Sequence, residues 1–107
     1  MSNSSVSTTL LRDVKISLGV TWTESSTDDR IRELIKSAMF YLNDKLGGNL
    51  DFEADGYPRE LLMERVRYAR DGALDVFENN YRAELLAAQN NRKVSAYVAS
   101  NAISTDA

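Results

Sequence analysis

Apolar residues recur at spacings of three and four along most of this chain, and glycine or proline punctuates each run, a pattern that helices satisfy and strands do not. The clearest run starts near Asp28. Ile31, Leu34, Ile35, Ala38, Leu42 and Leu46 share one side, Arg32, Glu33 and Lys36 occupy the other, and Gly47 and Gly48 close it. Ser26 stands three residues before Asp29, an acidic relative of the capping box that puts negative charge at a helix N-terminus. Upstream, Leu11, Val14 and Leu18 predict a short helix within Leu10 to Leu18, with Thr8 and Thr9 as candidate N-caps and Gly19 as the stop. The segment "VTWTESST", residues 20–27, links the two.

Downstream, Pro58 suits the first turn of a third helix running to Asn79 or Asn80. Leu62, Val66, Ala69, Ala73 and Val76 mark one face, while Leu74, Phe77 and Tyr81 lie about 100° away and widen the apolar surface in the second half only. Gly72 stands where the character changes, at a cost of up to about 1 kcal/mol relative to Ala inside a helix, a cost usually offset by close approach of another backbone or by a kink. The Asn pair then loosens the chain before a last helical piece, "YRAELLAAQ". No internal repeat is present, and "VSAYVAS" is too short and too near the end to argue for a strand. The expected fold is all-α, a small three- to four-helix bundle with extended N- and C-terminal segments. Residues 1–9 form a flexible start, 10–90 the helical domain and 91–107 a C-terminal arm. Leu11, Val14, Leu18, Ile31, Ile35, Leu42, Leu62, Val66, Ala69 and Ala73 are the predicted core.

Both ends are rich in small polar residues, which leaves roughly 80 residues to build that core, a size at which burial against a partner adds needed stability. Oligomerisation follows as an expectation. The net charge is −3, with 13 basic residues dispersed among 16 acidic ones, so no basic stripe is available to read nucleic acid. Cysteine is absent, which removes disulfides and thiolate metal sites. No run of 18 or more apolar residues and no charged start followed by an apolar stretch occurs, so neither a membrane span nor a secretory signal is expected, and assembly in the cytoplasm is.

Histidine is also absent, so an enzyme would have to run on carboxylates, Lys, Ser or Tyr. The acidic residues are spaced as solvated faces with i,i+4 partners, as in Arg67 with Asp71 and Glu78 with Arg82. No catalytic residue and no cofactor is expected. The segment "DFEADG" puts Asp51, Glu53 and Asp55 at alternate positions before Gly56, like the first half of a helix-loop-helix calcium site. Its second half fails, because Leu62 occupies the twelfth position and Pro58 interrupts the loop. An acidic surface loop over residues 47–57 that holds no metal is the expectation. Trp22 reads as a lid over the core edge, with an interface anchor as the other role. Phe77 reads as core, and Leu85 and Leu86 divide between core and interface.

The order "LLRDVKISLGV", an acidic capped turn, "DDRIRELIKSAMFYLNDKLGG", a polar loop and "PRELLMERVRYARDGALDVFENNYRAELLAAQ" resembles the head-to-tail connector, or adaptor, family of long-tailed phages and prophages. The likeness spans residues 10 to 90 and is carried by the first helix ending on Leu18-Gly19, the pattern Tyr41, Leu42 and Gly47, and "FENNY". It implies a structural virion protein, not an enzyme: a ring of twelve copies in the neck, between the portal and the stopper or tail-completion protein. DNA would pass through the lumen without sequence-specific binding, and an acidic chain suits that conduit because basic residues would hold the phosphates.

On this resemblance Gly72, Leu74, Phe77 and Tyr81 would pack on the neighbouring subunit. Leu85, Leu86, Arg92, Lys93, Val94, Tyr97 and Val98 would reach the portal, the terminal segment becoming ordered there, and Asp51, Glu53 and Asp55 would face the stopper on the opposite side. The alternative class is a small helical DNA-binding or regulatory module. "RVRYAR" supplies three arginines for it, but Glu60, Glu64, Asp71 and Asp75 surround them.

Overall fold

The structure, a computed structural model, describes residues 6–48 and 50–105, with side-chain surroundings as far as Asn91. Four helices follow in order: α1 (Thr8–Leu18), α2 (Ser25–Leu46), α3 (Tyr57–Arg70) and α4 (Leu74–Thr105). The all-α bundle expected from periodicity is the fold. Among the described residues there is no strand.

The first helix is capped one residue earlier than expected. The Ser7 hydroxyl, not Thr8 or Thr9, accepts the Leu10 N–H at 3.0 Å, so order begins inside the segment read as flexible; residues 1–5 lie outside the described residues. Gly19 ends α1 at φ 78. Its N–H donates to the Ile16 carbonyl and the Val20 N–H to that of Lys15, the paired bonds of a Schellman turn, which carries Val20 into the core. The second helix starts at Ser25, ahead of the expected Asp28, and buries Ile31, Ile35, Ala38, Leu42 and Leu46 along its predicted side. The loop after it is pinned by the Leu50 N–H donating to the Asn43 side chain at 2.9 Å and by Phe52, which is buried.

The predicted third helix is in fact two helices. Its first part ends at Arg70, and Gly72 adopts φ 70. The Gly72 N–H donates to the Ala69 carbonyl at 3.1 Å and the Ala73 N–H to that of Tyr68 at 2.8 Å, a second Schellman turn that folds α4 back along α3. Periodicity alone runs through this turn because apolar residues continue on both sides of it. Asn79 and Asn80, read as the break, sit inside α4.

Reversal at 71–73 also changes which residues face inward. Phe77 is fully buried, whereas Val76 is 42% exposed, and Ala69 and Ala73 are only half-buried, as is Leu18. Leu11, Val14, Ile31, Ile35, Leu42, Leu62 and Val66 form the core as predicted, joined by Leu10, Val20, Phe52, Leu61, Phe77 and Leu85.

Contacts between helices fix two ends of the bundle. At one, Lys15 pairs with Asp28 at 2.8 Å and Arg70 donates to the Leu18 carbonyl at 3.5 Å, which gathers the linker 19–24, the start of α2 and the turn 71–73. At the other, the Ser7 hydroxyl donates to Glu53 and the Tyr57 hydroxyl to Glu84; here the N-terminus of α1, the loop 47–56 and the middle of α4 meet. α4 then continues past this end. Its 32 residues rise about 48 Å, in keeping with a longest dimension of 56 Å. The radius of gyration is 16.1 Å, against about 13 Å for a compact chain of this length.

The C-terminal arm is therefore helical in backbone to Thr105, not a free segment awaiting a partner. The cost of ordering an isolated tail does not apply. Extending an existing helix adds a hydrogen bond for each residue fixed and needs no new nucleus.

Candidate interaction surface

Surface chemistry is set by what α4 leaves uncovered as it crosses α2 and α3. At its centre Phe77 stacks on Tyr81 with ring centroids 4.7 Å apart, and Tyr68 and Tyr41 meet Phe77 edge-on at 5.6 and 6.3 Å. The Arg65 guanidinium lies 3.4 Å from the centre of the Tyr41 ring and 5.2 Å from that of Phe77, and pairs with Glu78 at 3.3 Å. Among the described residues Arg65 is the buried charge. Helical spacing hinted at it, since Arg65 stands three residues after Leu62 and four before Ala69, beside the predicted apolar face, while Arg67 lies across the helix; the path of α4 completes its burial.

The Tyr41 hydroxyl is buried and makes no hydrogen bond of good geometry, although Glu78 and Arg65 both lie near it. Burial pushes its pKa up to about 12, with the Glu78 carboxylate adding to the rise and Arg65 opposing it. Tyr57 and Tyr81 are also raised, chiefly by burial and then by the carboxylates of Glu84 and Glu64.

One interface assignment is corrected by this packing. Phe77 is fully buried within its own subunit and has no ring face to present to a neighbour, whereas Tyr81, stacked on it, is half-buried and lines a surface groove. Gly72 and Leu74 are exposed at the turn. Of the residues expected to reach the portal, Leu85 is corrected in the same way, being only 6% exposed, while Leu86 is 54% exposed. Arg92, Lys93, Val94, Tyr97 and Val98 lie on α4, and their side chains fall outside the described residues.

Asp51, Glu53 and Asp55 are all exposed but turned to separate tasks. Asp51 accepts the N–H groups of Glu53 and Ala54, Glu53 accepts the Ser7 hydroxyl, and Asp55 approaches Arg59 at 4.0 Å. Arg59 is held in turn by Asp13. Among the described residues no group of three acidic, Cys or His side chains converges on a common point. This loop sits at the end of the bundle past which α4 extends, so the expectation that it faces away from the C-terminal arm is overturned. The expected i,i+4 pairs are replaced as well: Arg67 pairs with Glu64, and Glu78 with Arg65.

Other exposed apolar side chains are Ile16, Trp22, Phe40 and Val76. Trp22 is half exposed. No helix among the described residues is long and apolar enough to cross a membrane. Comparison with family models, with curated proteins and with solved structures gives no match.

Proposed function

We propose that this chain is a structural connector of the head-to-tail type: a subunit that repeats around a ring between a phage portal and a stopper or tail-completion protein, with DNA passing through the lumen. The observation that carries this reading is the unequal build of the molecule, a small bundle with its own core and one helix that outruns it by many turns. Such a helix needs something to lie against, and a bundle with different faces suits the head-to-tail repetition that closes a ring. The helical order that resembles the connector family over residues 10–90 supports the same role.

The DNA-binding alternative loses its main argument. All three arginines of "RVRYAR" are engaged, Arg65 over the aromatic rings, Arg67 with Glu64 and Arg70 with the Leu18 carbonyl, and α4 opens with Asp75 and Glu78. The arginine cluster that argued for a recognition helix is thus committed within the fold.

The experiment is electron microscopy of the purified chain alone and mixed with a portal protein from the phage or prophage that encodes it. A ring stacked coaxially on the portal is expected. A chain that neither forms a ring nor joins the portal overturns the connector role.

A further inference from the structure

The two flanks of α4 carry opposite charge. On the α2 side a groove is lined by Tyr41, Lys45, Glu78, Arg82, Leu86 and Gln89. Glu78 is engaged by Arg65, and Lys45 and Arg82 are exposed with no ion-pair partner among the described residues. On the α3 side a second groove is lined by Tyr57, Glu60, Met63, Glu64, Tyr81 and Glu84. Three carboxylates gather there against the single cation of Arg67, which pairs with Glu64. Glu60 and Glu84 are exposed, and Glu84 accepts only the uncharged Tyr57 hydroxyl, at 2.6 Å.

Their placement around the helix matters as much as their sign. Arg82 and Glu84 are two residues apart, which turns them about 160° from each other around the axis of α4. Flanks of opposite charge set nearly back to back cannot pair within one molecule. They can pair between copies, each presenting its basic flank to the acidic flank of the next. Contact faces so turned give a head-to-tail series of many members instead of a two-fold dimer. Leu86, exposed beside Lys45 and Arg82, supplies the apolar anchor that charge alone lacks, and Tyr57 and Met63 offer apolar surface opposite it.

We infer that a second copy of this chain docks Lys45, Arg82 and Leu86 into the Glu60, Glu64 and Glu84 groove of its neighbour. The inference rests on the ring reading and deepens it. It moves Leu86 from the portal to the subunit contact, drops the buried Phe77 from that contact and keeps Tyr81, which lines the acidic groove.

The test is a charge swap read by sedimentation velocity on the full chain at low salt, from micromolar to submillimolar concentration. One variant combines Lys45→Glu with Arg82→Glu, so both flanks are acidic; the other combines Glu60→Lys with Glu84→Lys, so both are basic. Wild type is expected to self-associate and to weaken as salt rises. Each variant, with its helical circular dichroism retained, should need at least about tenfold more protein to associate. An equimolar mixture should recover assembly, because every junction again joins opposite charges. Wild type that stays monomeric throughout, variants that assemble like wild type, or a mixture that stays apart would each overturn the contact. Portal attachment is scored separately. A chain that self-associates by this swap rule but ignores the portal keeps the contact and loses the connector role; variants that still form the wild-type ring on a portal do the reverse.

Discussion

Arg65 shows how much of this molecule turns on one side chain. A guanidinium is planar and weakly hydrated, so it can lie against the Tyr41 ring at 3.4 Å while keeping a carboxylate partner. Lysine could keep the charge but not the stack. Arg65→Lys is expected to cost about 1 kcal/mol and Arg65→Ala about 2 to 4 kcal/mol, since truncation also strands Glu78 and empties the space beneath two rings; urea unfolding followed by circular dichroism reads both. Tyr41 gives a prediction in pH. Its pKa is near 10 in an unfolded chain and about 12 in the fold, so the folded state holds the proton that the unfolded chain releases. The associated stability is complete below pH 10 and is lost as pH rises from 10 toward 12. Tyr41→Phe keeps the ring, removes a buried hydroxyl that makes no hydrogen bond of good geometry, and is expected to be neutral or to stabilise by up to about 1 kcal/mol while reducing the loss of stability between pH 10 and 12. Little of this was read from the sequence, where Tyr41 figured as part of a pattern and Arg65 as one of the three arginines of "RVRYAR".

Helix boundaries were legible where a glycine coincided with the end of a periodic run. Gly19 and Gly47 both fall in the left-handed region and both end the helices they were expected to end. Gly72 escaped because Ala73, Leu74, Val76 and Phe77 continue an apolar pattern beyond it, so periodicity argued for one helix and the glycine was read as a cost carried inside it. The two descriptions predict opposite signs for one substitution. Inside a helix Gly72→Ala would stabilise by up to about 1 kcal/mol. At φ 70 in a Schellman turn it should destabilise by about 1 kcal/mol or slightly more, because a Cβ disfavours the left-handed region. Thermal unfolding of that single variant decides between them. Phe77 tests the corrected turn from the other side. Fully buried once α4 folds back, it should lose about 3 to 5 kcal/mol as Phe77→Ala, enough to leave the domain largely unfolded.

At the scale of the whole molecule, the core and the protruding helix are separable claims. Among the described side chains, the last of α4 to pack on the core are Leu85 and Ala88, so a chain truncated after Gln89 should keep its melting temperature within a few degrees while losing helical signal in proportion to the turns removed. Under the connector proposal the same truncation abolishes portal attachment; a truncated chain that docks with unchanged affinity would separate the arm from that role. The sequence could not show where the arm points, because that depends on α4 reversing at 71–73 and running back beside α2. The helix that follows the reversal has no joint of its own. From Leu74 to Thr105 the chain contains neither glycine nor proline, and sharp bends in helices concentrate at those residues. A sideways push on the distal turns therefore travels along α4 as torque, with the packed Leu85 and Ala88 as the fulcrum and Gly72, far beyond it, as the first glycine at which the backbone can yield. α4 is a lever whose load and whose hinge lie at opposite ends.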